Sequence, residues 1–428
     1  MDKDRFKIVI INHSFQINYY SRRWQLFARK FSNVDVTLLA PAKHEWYKSK
    51  GYSFGSSKVM EGHETDAGNY HVRVFRVRTI PFFGWYSPDY KRLLMKIKPD
   101  VVYHIGGFRE LSLVHLIRVV RKRICGTKVI VFSMRGPHHN LAYMPKSGGL
   151  LKAIRRKLDY VYEKIKLNYV NDNVDAFFCH YPDALQAFRD EGYSGPVYMQ
   201  TQVGVNTEWF YPDESKRKEI RSQLGIDDDT FVFGSATRFS WDKGVGDILR
   251  ALPAEGNWKY LMMGAGSVEE TECLKSIIRE RKLEDKVIVT GFIDWYEIAK
   301  YWNAVDCAIH VPRTTPFWVE TFSLAAIQPQ VTGKPVIGDD SGSVPYQIGF
   351  DEMIVREGDV EALSRKISWV LAHREEAAAL GKKMYERALR AFTVRHLNDM
   401  FYDTLVEDIL PGKYDEDKTD MASYIPHC

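Results

Sequence analysis

Short, wholly apolar runs alternate with longer amphipathic stretches along most of this chain. Lys7–Asn12 (KIVIIN) and Val34–Leu39 are continuous apolar runs, the pattern of strands buried on both faces of a parallel sheet. Between them Trp24, Leu26, Phe27 and Phe31 recur at helical spacing. Tyr70–Arg78 alternates apolar and polar positions and predicts a half-exposed strand. Asp100–His104 and Lys128–Ser133 predict two more buried strands, the first running into Gly106-Gly107 and the second into MRGPHHN. Asp175–His180 predicts a strand, Pro182–Arg189 a helix, and Val197–Trp209 a strand leading into a loop. Leu151, Ile154, Leu158, Val161, Ile165 and Tyr169 mark one stripe of a long helix studded with Lys152, Arg155, Arg156, Lys157, Lys164 and Lys166. Such a helix suits an anionic membrane surface or a solvated outer face.

The rhythm restarts after a charged helix, Glu214–Leu224, and an acidic turn at Asp227–Asp229. Strands are predicted at Phe231–Ala236 and near 259–263, 287–291, 307–311, 335–338 and 353–355, with helices between them. Val360–Phe392 predicts two alanine-rich helices, and Leu397, Phe401, Leu405 and Ile409 continue at helical spacing. The polar end, residues 411–428, is expected to be mobile. At 428 residues the chain exceeds one core. Two runs of alternating strand and helix predict an α/β protein of two domains, divided near residues 205–212.

Composition narrows the class. Hydrophobic residues make up 45% and charged residues 27%, which excludes disordered and coiled-coil chains. Five scattered cysteines without a CxxC pair argue against a disulfide framework and a zinc site, and for a reducing compartment. With neither a signal peptide nor a membrane-spanning run, the expected location is the cytoplasm. Residues 1–200 hold 33 Lys and Arg against 17 Asp and Glu, a balance of +16, whereas the remainder holds 27 against 38, a balance of −11. The basic half suits an anionic partner: nucleic acid, an acidic lipid surface or a phosphate-bearing acceptor. No recognition helix, RNP motif or aromatic–basic sheet pattern supports nucleic acid. The aromatic loop PFFGWYSP (81–88) reads either as an acceptor or membrane contact or as a segment folded onto its own domain.

Candidate chemistry gathers in the second half. His310–Ile337 reads as strand end, loop, a helix opened by Glu320 (ETFSLAAIQ) and a further strand. A helix N-terminus beyond strand C-termini suits a phosphate or sugar hydroxyls. In TRFSWDKGVGDIL (237–249), Arg238, Lys243 and a helix opening at Gly244 converge, a set able to neutralise a diphosphate. The turns at Gly264 (GAG) and Phe292 (TGF) let a backbone approach a nucleotide. Asp339-Asp340 reads as an exposed turn rather than a metal site. In the first half, Arg135, His138 and His139 follow a strand end, where His138 is placed to act as a donor or base toward an acceptor hydroxyl.

Taken in order, TRFSWDKG, LMMGAGS, VTGF, WYEIAKYWNAVDCAIHVP and WVETFSLAAIQPQVTGKPVIGDDSGSVP resemble the donor domain of the family-four retaining glycosyltransferases. The resemblance implies the GT-B fold, two Rossmann-like domains facing each other across a cleft. Residues 1–205 would bind the acceptor, 206–395 the nucleotide-sugar donor, and 396–428 would form a helix returning to the first domain plus a polar tail. It implies metal-independent transfer of a sugar to an acceptor hydroxyl with retained anomeric configuration. The nucleoside-diphosphate sugar is a co-substrate, a UDP-sugar ahead of a GDP-sugar, with no further cofactor. The acceptor would be a glycan, a lipid-linked or a small molecule, with the basic first domain meeting an anionic membrane at its inner face.

By the same resemblance Arg238 and Lys243 would hold the diphosphate and Glu320 the sugar hydroxyls. The backbone of Phe322, Ser323 and Leu324 would take phosphate and sugar oxygens. The family's second Glu, which holds the ribose hydroxyls, is replaced here by Gln328, and its first-loop Gly-Gly by Gln16-Ile17-Asn18. Arg135 stands where the family often has a His, with His138 near it. These departures motivate an alternative, a non-catalytic nucleotide-sugar-binding or scaffold protein.

Overall fold

A computed structural model describes residues 5–12, 18–42, 63–80, 84–107, 110–134, 150–316 and 318–411. The first half contributes β1 (Phe6–Asn12), α1 (Asn18–Lys30), β2 (Val34–Pro41), β3 (Thr65–Ala67), β4 (Tyr70–Phe75), β5 (Arg78–Ile80), β6 (Gly84–Tyr86) and α2 (Tyr90–Ile97). It continues with β7 (Val101–Ile105), α3 (Leu111–Arg123), β8 (Lys128–Phe132), α4 (Leu150–Asn173), β9 (Ala176–Cys179), α5 (Pro182–Asp190) and β10 (Val197–Met199). Eight of these strands form one sheet in the order β10-β9-β8-β7-β1-β2-β4-β3, parallel except for β3 against β4. The apolar runs of the sequence are its central strands, buried because helices cover both faces.

After α6 (Glu214–Gln223) the second half forms β11 (Phe231–Ala236), α7 (Val245–Ala251), β12 (Trp258–Met263), α8 (Val268–Glu280), β13 (Val287–Gly291), α9 (Ile298–Ala304) and β14 (Cys307–His310). Then follow α10 (Leu324–Val331), β15 (Val336–Asp339), α11 (Val344–Ile348), β16 (Ile354–Val355), α12 (Val360–Ala372) and α13 (Arg374–Ala391). The six strands make a wholly parallel sheet, β13-β12-β11-β14-β15-β16.

Two crossings join the sheets, and they pair with each other. Val205 N–H donates to Phe392 O at 2.8 Å and Val394 N–H to Val205 O at 3.0 Å. Beyond this bridge α14 (Val394–Asp403) and a π-helical turn (Thr404–Ile409) return to the first sheet. There Phe401, Leu405, Ile409 and Leu410 join the core formed by Phe6, Ile8, Trp24 and Tyr103.

The basic helix turns out differently from its periodicity. Over the described side chains of α4, Leu167 and Val170 face inward, while Val161 and Ile165 are 47% and 62% exposed beside exposed Lys164. The stripe marked by Val161 and Ile165 is thus an outer face, because α4 meets α3 through a neighbouring row. The described part of the aromatic loop folds onto its own domain: Trp85 stacks on Phe75 and Tyr86 meets His115 edge-on. Arg135, His138, His139, Gln16, Ile17, residues 81–83 and the tail from 412 lie outside the described residues. Among the described residues, no helix is long and apolar enough to cross a membrane.

Candidate active site

In the second sheet the chain builds outward from β11 through β12 and β13, then resumes on the other side at β14. Crossovers leaving in opposite directions open a crevice at the C-terminal ends of β11 and β14. Past β11 comes a 3-10 turn, Trp241–Lys243, and then Gly244 at φ +68°, from which α7 starts. A side chain at Gly244 would lie 1.8 Å from the Val311 carbonyl oxygen. Glycine therefore lets this turn close on the end of β14. Lys243 Nζ donates to Glu320 Oε2 at 3.0 Å and sits 3.8 Å above the Trp318 ring.

Glu320 does not open a helix as the sequence predicts. The helix α10 begins at Leu324 with Ser323 as its N-cap residue. Bonds from elsewhere hold the preceding residues out of it. Glu320 O accepts from Ser343 N–H at 2.8 Å, and Gly342 packs against the same oxygen. Gln347 accepts from Ser323 N–H and donates to Ser323 O, both at 2.9 Å. Released from the helix, the Glu320 side chain turns to Lys243.

Glu320 is only 6% exposed. Burial pushes it above the ordinary carboxylate range, while Lys243 and the Phe322 N–H draw it back. His310, the last residue of β14, places Nε2 3.8 Å from the same Oε2. Burial, then the charge of Lys243, presses its pKa to about 3, so the ring is neutral.

Other sequence-predicted residues are placed unequally. Arg238 stands at the rim, half exposed, with Nη2 3.7 Å from Asp242. Phe292 is exposed past β13. Gly264, at φ +147°, lies so close to Thr237 O that a Cβ would be 1.8 Å away, so its turn is closed against the loop after β11. Of the three amides expected to receive phosphate and sugar oxygens, that of Ser323 is taken by Gln347 and that of Phe322 by Glu320. Leu324 heads the helix. Gln328 is buried with Oε1 accepting from Trp302 Nε1 at 3.1 Å, and its Nε2 has no partner among the described residues.

The expectation of an exposed Asp339-Asp340 turn is corrected. Asp339 belongs to β15, pairs in register with Val355 and is 1% exposed; Asp340 alone is exposed. Asp339 Oδ1 accepts from Ser341 N–H at 3.2 Å, its Oδ2 has no partner among the described residues, and burial pushes this carboxyl up to about 8.

From the first domain, His180 past β9 stacks on Phe322 with ring centroids 4.9 Å apart and planes 10° apart. Its Nδ1 lies 2.9 Å from Thr201 Oγ1, and burial lowers its pKa to about 3. Sequence reasoning missed His180, Trp318, Gln347 and a role for His310. The one signal was a polar side chain at a strand's C-terminal end, which holds for His310 at the end of β14 and His180 after β9; Trp318 in a loop and Gln347 within α11 carried none.

The family model described as Glycosyl transferases group 1 matches residues 216–387. Among curated proteins, alpha-monoglucosyldiacylglycerol synthase of Streptococcus pneumoniae is 26% identical over 216 residues, 48% of this chain and 47% of that protein. D-inositol 3-phosphate glycosyltransferase of Mycobacterium marinum is 25% identical over 190 residues, 43% of this chain and 39% of that protein. The chain thus spans about half or less of the length of the curated relatives it matches. Among solved structures, sucrose-phosphate synthase of Thermosynechococcus elongatus superposes with a TM-score of 0.67 at 18% identity, covering 94% of this chain and 99% of that one. HepE of Anabaena, solved with UDP and glucose, gives 0.65 at 16% identity, with 94% and 99% covered. These likenesses show the fold, which is GT-B. Over residues 216–387, less than half of its length, the chain is similar to the glycosyl transferases of group 1.

Proposed function

We propose that this protein transfers a sugar from a nucleoside-diphosphate sugar to an acceptor hydroxyl, with retention and without a metal. One observation carries the reading: Lys243 and Glu320 meet at the switch point of the second domain, a cation and a carboxylate sealed together where a ligand would enter. The ammonium, with Arg238 at the rim, supplies positive charge where a departing diphosphate gains negative charge. Glu320 supplies lone pairs for sugar hydroxyls. The acceptor oxygen bonds to the anomeric carbon on the face from which the diphosphate leaves, and its proton passes to the departing phosphate oxygen. Support for a UDP-sugar comes from HepE, solved with UDP and with UDP-glucose. Residues of the first domain would hold the acceptor, and the exposed Val161 and Ile165 beside Lys164 favour an acceptor at an anionic lipid surface.

A thermal-shift panel with UDP, GDP, ADP, CMP and dTDP, with and without EDTA, tests the donor half. One diphosphate raises the melting temperature, and EDTA leaves that shift unchanged. Glu320→Ala then abolishes transfer and keeps the fold; full activity in that variant ends the assignment. Gln328, tied to Trp302 in place of a carboxylate, favours the non-catalytic reading as the second choice. Turnover with any donor and acceptor removes it.

A further inference from the structure

Glu320 Oε2 faces two hydrogen-bond donors, and only one reaches it. Lys243 Nζ is at 3.0 Å and His310 Nε2 at 3.8 Å. The His310 nitrogen is buried and has no hydrogen-bond partner among the described residues. Buried ring nitrogens are nearly always paired, so one left open beside a carboxylate marks a bond that forms in another state. The ring is neutral, and toward a carboxylate the favourable tautomer carries its proton on Nε2.

Lys243, by contrast, is asked to serve two anions. With side chains only 15% and 9% exposed, its pair with Glu320 is a closed charge pair. A diphosphate entering the crevice brings more negative charge than one carboxylate and competes for the same ammonium. If Lys243 simply left, Glu320 would keep a buried charge with the Phe322 N–H as its support.

We propose that His310 is the positioning residue for Glu320 in the donor-loaded site: as Lys243 turns to the phosphate oxygens, His310 Nε2–H takes over Oε2. The inference rests on the donor reading above. The movement is small, from 3.8 Å to the hydrogen-bond range of about 2.9 Å. Lys243 comes from the turn after β11 and His310 from β14, so the exchange needs side-chain rotation alone. No proton changes hands. A neutral donor in place of an ammonium leaves the carboxylate its full charge for the sugar hydroxyls, and Lys243 becomes free for the leaving group.

The test compares wild type, H310L and H310Q on the full chain, with UDP as binding probe and UDP-glucose hydrolysis or transfer as activity. H310L lowers kcat by about 30-fold or more while UDP affinity changes by less than about threefold, the split expected when only sugar positioning is lost. H310Q, whose amide N–H reaches the place of Nε2, recovers most of that loss. A crystal structure with UDP has His310 Nε2 within hydrogen-bond distance of Oε2 and Lys243 on phosphate. Unchanged kcat in H310L overturns the inference, as does equal loss of UDP affinity and kcat, or Lys243 still on Oε2 with UDP bound. Any of these leaves the donor reading standing. A wild-type protein that binds neither UDP nor GDP overturns both.

Discussion

Arg23 on α1 and Asn398 on α14 bond to each other in both directions across 375 residues of chain. Arg23 Nε donates to Asn398 Oδ1 at 3.0 Å, and Asn398 Nδ2 donates to Arg23 O at 3.3 Å. The same guanidinium reaches Thr201 O and Gln202 O at 2.9 Å and Leu397 O at 3.1 Å. One buried cation therefore fastens the outgoing and the returning crossing to the first domain. The Val205–Thr393 bridge lies just beyond it, where the two crossings pass between the sheets. Burial lowers Arg23 to about 10, which keeps it charged at neutral pH.

Replacing Arg23 by Ala strands three carbonyls and one amide oxygen in a dry interior. We expect a loss of about 3 kcal/mol in urea unfolding of the full chain. Arg23→Lys recovers little of it, because one ammonium cannot span both crossings. Stability of R23K equal to wild type would reduce the fork to a single useful bond.

Stability should fall as pH rises from about 6.5 to 8. Asp339 and Glu110 have folded pKa values raised to about 8 and about 7 from ordinary values of 3.8 and 4.5. Their contribution is complete below the ordinary values and is lost as pH climbs through the raised ones. His180 and His310 are depressed to about 3 from 6.5, so theirs is complete above 6.5 and lost as pH falls toward 3. The two sets oppose each other in acid; above 6.5 the histidines drop out, and Lys334, lowered by burial to about 8, opposes the carboxyls only near the top of the window, so the net slope stays downward. A melting-temperature profile of Asp339→Asn should be flatter than wild type from pH 6.5 to 8. An unchanged slope would show that Asp339 ionises freely.

Much of this architecture was legible because strands of a covered parallel sheet carry no polar alternation. The runs at β1, β7, β8, β11 and β14 stand out by composition alone. Lys243 and Glu320 were legible as charges just past such runs, and they do meet. The start of α10 was not. ETFSLAA has helical character locally, and the bonds from Ser343 and Gln347 that hold Glu320–Ser323 out of the helix come from residues about twenty positions later. Nor could spacing tell which row of α4 faces the core, since Val161 and Val170 are equally apolar and only the position of α3 separates them. For His310 and His180 the chemistry lies in what packs beside them, which no single-chain periodicity records.

The outer face of α4 predicts lipid binding. Ile165→Glu and Val161→Glu place carboxylates on a face otherwise offered to an anionic bilayer. Each should weaken binding to phosphatidylglycerol vesicles by about 10-fold or more without a change in melting temperature, since both positions are already exposed. Co-sedimentation at low salt measures it. Equal binding by the double variant would show that α4 is a solvated face.

Gln328→Glu restores a carboxylate at a site whose Oε1 already accepts from Trp302. Trp302 can keep its bond, but the unpartnered Nε2 becomes an acceptor with a charge in a dry place. The free variant should lose about 1–3 kcal/mol of stability. Ribose hydroxyls bonding to that oxygen offset the cost in the complex, so UDP affinity should rise by about 10-fold. The gain should be smaller for dTDP, which lacks the 2′-hydroxyl. Isothermal titration with both nucleotides separates the cases. Lost stability with no gain for UDP would mean that Gln328 props Trp302 and stands apart from the nucleotide, and the weaker of the two functional readings would then lose its motive, because a residue that never touched ribose cannot have cost the chain its donor.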